Sequence, residues 1–315
     1  MTMNRRTVLS ALSATAAAGA LPALAQSTPK IVFGYTAVTD FASVFVAAEE
    51  GFFKKRNLDV ELKFIPLNST IPAALQSDSL QLGGPTPSVF LQAVDGGLDL
   101  VLVAGGGLTS KTSTGFGLVA RAGSGIRTPQ DCVGKKIGVP GLGAFLHVTF
   151  RAWLKDRGVD YRKVNFIEAS FPQHGDLLRG GSLDAVVTAD PFMSRITDSG
   201  AGYVASYYAT FLPDGNHTIV HAGKRDWVNA NPAAVRAFRE AVTEGAAFMQ
   251  QPKNDAKVRA AIGKFIKLPP EVLAKIQISP PGPTVSEKQV GYWVGLMKDQ
   301  DLLKTNIDVG RLIVK

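Results

Sequence analysis

Apolar residues fall in short strand-like runs separated by stretches of helical period. Ile31-Val32-Phe33-Gly34-Tyr35 reads as a strand, and a helix is expected over residues 42–50. Gly51 stops that helix, Lys54-Lys55-Arg56 turns the chain, and residues 58–64 alternate as a second strand. A strand, a crossover helix and a second strand form the parallel unit of an open α/β sheet. The alternation continues, with strands expected over 80–83 and 99–104 and helices over 70–77 and 87–95. Further strands over 117–121, 136–139, 164–167, 183–188 and 218–222 bracket helices over 143–157, 173–179 and 191–199. The remaining chain is helical in pattern: 231–250, 252–266, 270–276 and 286–300, punctuated by Pro252, Pro269-Pro270 and Pro280-Pro281-Gly282-Pro283.

Two breaks interrupt this order. One is the glycine-rich Val103-Ala104-Gly105-Gly106-Gly107; the other is the loop over 211–217, with Pro213-Asp214-Gly215. They are the expected crossings between two lobes. Residues 30–117 and 218–315, the latter with the helical part, are expected to make one lobe, and 118–217 the other. An internal echo supports two lobes on one plan. Leu75-Gln76-Ser77-Asp78-Ser79-Leu80-Gln81-Leu82 parallels Leu178-Arg179-Gly180-Gly181-Ser182-Leu183-Asp184-Ala185, each running from a helix end through a tight turn into a strand.

The N-terminus adds a compartment. Asn4-Arg5-Arg6-Thr7-Val8-Leu9-Ser10 is a twin-arginine pattern, followed by an uncharged run and the small-x-small site Ala23-Leu24-Ala25. Residues 1–25 are expected to be a cleaved export signal, with Val8 where the Tat signal usually has Phe. No later stretch is apolar for long enough to cross a bilayer. The formal charge is +8, and Arg5 and Arg6 leave with the signal. The basic residues are scattered, with no aromatic ladder between them, which argues against nucleic acid. A mildly positive field favours small anions. The single cysteine, Cys132, permits no intramolecular disulfide and is expected to be a buried thiol.

The segment Gly51-Phe52-Phe53-Lys54-Lys55-Arg56-Asn57-Leu58-Asp59-Val60-Glu61-Leu62 resembles the signature of bacterial solute-binding proteins of the aliphatic-sulfonate, taurine and nitrate class, the periplasmic receptors of ABC importers. Three later segments fit the same pattern, in order: residues 126–139, from Ile126-Arg127-Thr128-Pro129 to Lys136-Ile137-Gly138-Val139; Arg179-Gly180-Gly181-Ser182-Leu183-Asp184-Ala185; and Asp190-Pro191-Phe192. The resemblance implies an α/β, two-lobed periplasmic-binding-protein fold of type II-like topology. Each lobe would be a mostly parallel sheet flanked by helices, with the ligand in the interlobe cleft. It also implies a periplasmic location, a monomer, a small anionic ligand and an ABC permease of the inner membrane as partner. Asp78 and Gln81 depart from the Gly and Asp that the pattern usually has at these places.

Ligands of open α/β sheets sit at the carboxyl ends of strands. In the first lobe this points to Thr36 and Phe41, to Asn68, Ser69 and Thr70, and to Thr86 and Ser88. Hydroxyls and amides at helix starts cap helices, but with free N–H groups and a positive dipole end they also bind anions. In the second lobe Gly143, Ala144 and Phe145 begin a helix and His147 lies one turn in. Phe171, His174, Asp190 and Phe192 complete the expected rim. The anion's charged end is expected between 68–70 or 86–88 and the helix start at 143–145, with Arg121, Arg151 or His147 as side-chain alternatives. On that reading Thr70→Ala or Ser88→Ala would weaken binding about ten-fold or more, and Gly143→Val would nearly abolish it.

No residue is nominated as catalytic, and no metal or cofactor is expected. No His/Cys/carboxylate set has metal-ligand spacing, Thr86-Pro87-Ser88 is no nucleophile elbow, and Gly105-Gly106-Gly107 lacks a dinucleotide-loop spacing. The expected function is capture of a small organic anion, a sulfonate, carboxylate or relative, for delivery to an ABC importer. The alternatives are a Tat-exported enzyme acting on a small organic acid and a ligand-sensing module of a membrane receptor.

Overall fold

In a computed structural model of the protein the described residues are 30–315; the expected export signal lies outside them. The first half builds β1 (Ile31–Tyr35), α1 (Ala42–Glu49), β2 (Val60–Phe64), α2 (Ile71–Gln76), β3 (Leu82–Gly83), α3 (Pro87–Asp95) and β4 (Leu100–Gly105). The chain then makes β5 (Phe116–Arg121), β6 (Lys136–Val139), α4 (Phe145–Asp156), β7 (Asn165–Glu168), α5 (His174–Arg179), β8 (Ala185–Ala189), α6 (Phe192–Asp198) and β9 (Gly202–Ser206). It closes with β10 (Val220–Lys224), α7 (Arg225–Ala230), α8 (Pro232–Met249), α9 (Asp255–Ile266), α10 (Pro270–Leu273) and α11 (Glu287–Lys298).

The strands form two five-stranded sheets, in the orders β2-β1-β3-β10-β4 and β7-β6-β8-β5-β9. Pairing is parallel for β2-β1-β3 and for β7-β6-β8. β10 runs antiparallel to both β3 and β4, and β5 antiparallel to both β8 and β9. Each sheet therefore holds one reversed strand in the same place, fourth in its order. That strand is the one with which the chain arrives from the other sheet. Residues 106–115 lead from β4 into β5, and residues 207–219 lead from β9 into β10. The two crossings are bridged at Leu108 and His217 and by Thr109 N donating to Asn216 O at 2.7 Å. A third segment lies beside them: Gly107 pairs with Pro281, and Gly105 N donates to Pro283 O at 3.0 Å.

β9 is absent from the strands expected above. Gly-Tyr-Val-Ala-Ser is short, half-buried along its length and paired on one side only, so it carries no apolar run.

The internal echo is structural. Its two copies join α2 to β3 and α5 to β8, the equivalent steps of the two sheets. α1 is apolar on nearly every side because it lies between the sheet and α8 and α9. Phe33, Phe41, Phe45 and Phe238 are fully buried there around His221. Cys132 is a buried free thiol whose pKa is pushed up to about 12 by burial.

Candidate functional site

A cavity with an empty volume of ≈ 380 Å³, mouth included, lies where the two sheets face each other. Its walls come from strand ends. Thr36, Val38 and Asp40 follow β1, Asn68 follows β2, and Thr86 follows β3. Pro140 follows β6, Phe171 follows β7, and Ala189 ends β8. Phe116 opens β5, while Thr218 and Ile219 lead into β10: the reversed strands present their starts at the same edge. Ala144, Phe145 and Leu146, the N-cap and first turn of α4, complete it.

The two helix starts differ in what they leave open. At α3, Thr86 accepts from Val89 N at 3.3 Å, and its hydroxyl also meets that of Ser88 at 3.1 Å. Asn68 is committed as well, donating to Gly84 O at 3.0 Å and accepting from Thr86 N at 2.8 Å. These groups fix the first-lobe loops to one another. At α4 the N-cap is Ala144, which offers no side-chain oxygen. The preceding loop is closed internally: Ala144 N donates to Gly141 O and Gly143 N to His147 Nδ1 at 2.9 Å. Val148 N returns to Ala144 O, so the amides of Phe145, Leu146 and His147 are the unpaired first turn of a 12-residue helix. Two of those three residues line the cavity. The Thr36 hydroxyl, buried at the wall, also takes part in no hydrogen bond recorded among the described residues.

Asp40 is the ionisable residue of the wall. It is 4 % exposed, accepts a hydrogen bond from Thr218 Oγ1 and is faced by the Ser279 hydroxyl. Burial pushes its carboxyl above the ordinary carboxylate range, against the pull of those hydroxyls. Among the described residues no Lys, Arg or His lines the cavity. The body of the wall is apolar: Val38, Phe116, Pro140, Phe145, Leu146, Phe171, Ala189 and Ile219.

Of the residues singled out from sequence, the structure brings Thr36, Asn68, Thr86, Ala144 and Phe145 to the cavity, with Phe171 from the expected rim. The others lie elsewhere. Phe41 is in the core, its ring against His221. Ser88 is fully buried behind Thr86. Thr70 is exposed and its hydroxyl donates to Leu67 O at 2.8 Å. Ser69 donates across the lobes to Glu168 Oε1 at 2.9 Å. Gly143 accepts through its carbonyl from Gln92 Nε2 at 3.0 Å. His147 packs on Phe166, and burial lowers its pKa to about 3, so it accepts from Gly143 N as a neutral ring. His174 is enclosed between Thr188 Oγ1 and Ala169 O, with its pKa lowered to about 4 by burial. Asp190 accepts from Ser194 Oγ at 2.7 Å and from Ser194 N at 3.2 Å, and the pKa of its carboxyl is raised by burial. Phe192 stacks behind Phe171 with centroids 5.6 Å apart. Arg121 pairs with Asp184, and Arg151 lies over Tyr161.

Asp40, Phe116, Thr218 and Ile219 were missed. Asp40 stands in the loop already chosen after β1; an acid is simply not what an anion suggests. The other three reach the site because β5 and β10 run backwards, and apolar alternation does not report strand direction.

Among the described residues no group of three His, Cys, Asp or Glu side chains could hold a metal ion. No helix among them is long and apolar enough to cross a membrane.

The family described as NMT1/THI5 like matches residues 38–256. The nitrate/nitrite binding protein of Synechococcus elongatus is 25% identical over an alignment of 254 residues that covers 71% of this chain and 56% of that relative. The chain thus spans little more than half the length of that relative. The alkanesulfonate-binding protein of Xanthomonas axonopodis pv. citri, solved bound to MOPS, superposes with a TM-score of 0.77 at 19% identity, covering 91% of this chain and 99% of that one. The periplasmic nitrate-binding protein of Synechocystis PCC 6803 gives 0.75 at 15% identity, covering 91% and 86%. This likeness shows the fold, a two-lobed periplasmic-binding-protein architecture.

Proposed function

The chain belongs to the NMT1/THI5-like family, and from that premise we propose that it is an exported solute-binding protein of an ABC importer. Its cargo is a small organic anion. One observation carries the reading: the cavity between the sheets is walled by apolar side chains and by the uncapped first turn of α4. Unpaired N–H groups at the positive end of a helix dipole stabilise negative charge without a basic side chain. Phe116, Phe145 and Phe171 enclose the ligand's body.

The chain crosses between the two lobes through residues 106–115 and 207–219, with the stretch near 280 beside them. The turn after α11 also docks on α4, where Gln300 Nε2 donates to Val148 O at 2.9 Å. Two adjacent crossings of this kind suit rotation about a hinge. Closure brings α4 of one lobe against Thr36, Asn68 and Thr86 of the other, and the closed form is what a permease would recognise. Binding proteins of the same fold carry nitrate or alkanesulfonate in their names, which supports an anion here. The twin-arginine pattern and Ala23-Leu24-Ala25 support export to the periplasm.

The test is a thermal-shift screen of the mature chain against small sulfonates, carboxylates and inorganic anions, followed by calorimetry. At a ligand concentration 100 times Kd, binding stabilises the folded state by about 2.7 kcal/mol. Stoichiometric binding with the ligand recovered unchanged is expected. Turnover of the ligand, or no stabilisation by any anion, would overturn the reading.

A further inference from the structure

The cavity wall contains a carboxyl group that an anion receptor does not need. Asp40 is buried at its wall and, among the described residues, forms no ion pair and is offset by no Lys, Arg or His of the wall. Its hydrogen bonds come from hydroxyls, Thr218 Oγ1 and Ser279. Gly107 lies directly behind the carboxyl, where a side chain would meet Asp40 Oδ1. A bare anion filling this space would meet that carboxylate in a low-dielectric enclosure, where like charges repel strongly. On that side Asn68, Thr86 and Thr218 are committed to hydrogen bonds within the protein, and the Thr36 hydroxyl, which is neutral, is the other polar group within the ligand's reach.

We infer that the ligand carries an ammonium or N–H donor as well as its anionic group, and that Asp40 receives the donor while the α4 start receives the anion. The inference rests on the anion-receptor reading of the same cavity and narrows its ligand to small amino-anions. Asp40 belongs to the lobe of β1, and the α4 amides belong to the lobe of β6. Each end of the ligand is thus read by a different lobe. A molecule lacking either end satisfies one lobe only and leaves the other with an unmatched buried group, which is how a site discriminates strongly between ligands of equal shape.

Matched pairs in which an ammonium replaces a methyl group test this on the intact mature chain. The probes are 2-aminoethanesulfonate against propane-1-sulfonate, 3-aminopropanoate against butanoate, and 4-(aminomethyl)benzoate against 4-ethylbenzoate. Calorimetry should show the amino member of at least one pair binding ten-fold or more tightly than its methyl partner, and Asp40→Asn should erase that preference. Methyl members binding as tightly as amino members would overturn the inference and leave the anion-receptor reading standing; Asp40 would then present its proton to a bare anion. A preference that survives Asp40→Asn would also overturn it. If no member of any pair binds while another anion of the screen does, the inference fails and the anion-receptor reading stands; if no anion binds at all, both fail. The wild-type preference decides the matter even if the variant does not fold.

Discussion

Two residues show how a departure in sequence can preserve a role. Gln81 donates its N–H to Val32 O and accepts from Val32 N through Oε1 at 2.9 Å. Asp184 does the same to Lys136, with N–H to O and Oδ2 accepting at 3.0 Å. Val32 and Lys136 occupy the equivalent strands β1 and β6. Asp78 adopts φ 59° where Gly181 has φ 69°, and Lys224 holds the Asp78 carboxylate at 2.7 Å. Gln81→Ala should leave the Val32 amide unpaired and cost about 1–3 kcal/mol. Urea unfolding checks it, and an unchanged midpoint would count against the pairing. The four histidines, 147, 174, 217 and 221, are all buried, with pKa values lowered chiefly by burial, to about 3 for His147 and His221 and about 4 for His174. The unfolded chain takes up protons first, so this stability is present above about pH 6.5. It is lost as pH falls toward 4, by roughly 1 kcal/mol per pH unit for each histidine. Asp40 and Asp190 act oppositely, since their raised pKa values favour the folded state on acidification. Four groups against two predict a thermal midpoint that falls from pH 7 to 5; a flat or rising profile would refute this. Position in a loop was legible from sequence, but the direction of a hydroxyl was not. Thr70→Ala, which in the structure removes only a bond to Leu67 O, is expected to leave ligand affinity within two-fold in calorimetry, about 0.4 kcal/mol at most.

At the level of elements, the parallel core was readable because β1, β4 and β8 are short, uncharged and predominantly apolar runs in a chain that alternates strands with helices. The reversed strands were not, because side-chain pattern carries no mark of strand direction: β5 is apolar like its parallel neighbours, and β10, Val-His-Ala-Gly-Lys, is buried over its first four residues like them. The C-terminal helices were legible from proline punctuation, yet their packing depends on one residue without a side chain. A Cβ on Gly245 of α8 would sit 2.3 Å from the Ser43 carbonyl oxygen of α1. Backbone there cannot yield as a flexible side chain would. Gly245→Ala should gain about 1 kcal/mol of helix propensity and lose about 1–3 kcal/mol to overpacking. The second effect wins where both contacting atoms are main chain. The expected result is a lower thermal midpoint by a few degrees; a higher one would mean that α8 can move off α1 without penalty.

For the whole molecule, the closed arrangement is held by contacts that are not part of the cavity wall. Ser69 Oγ of the first lobe donates to Glu168 Oε1 of the second at 2.9 Å, and the same oxygen accepts from Leu142 N at 2.9 Å. Gln92 Nε2 of α3 reaches Gly143 O at 3.0 Å. Gly143 stands at φ 77° with Gln92 2.5 Å from where its Cβ would be, so the effect expected of Gly143→Val passes through this latch and the backbone, with no ligand contact required. A ligand that binds only the closed form has an apparent Kd equal to its intrinsic Kd divided by the closed fraction. Each latch bond, partly exposed, is worth about 0.5–1.5 kcal/mol. Ser69→Ala or Gln92→Ala should then weaken binding by roughly two- to seven-fold where the closed and open forms are about equally populated without ligand. Ser69→Ala is the cleaner change, because the Glu168 bond to Leu142 stays within one lobe and survives. Small-angle scattering of the ligand-free protein should show a larger radius of gyration in the variants, and saturating ligand should return it to the wild-type value. Weakened binding with unchanged scattering would instead place Ser69 or Gln92 in direct contact with the ligand.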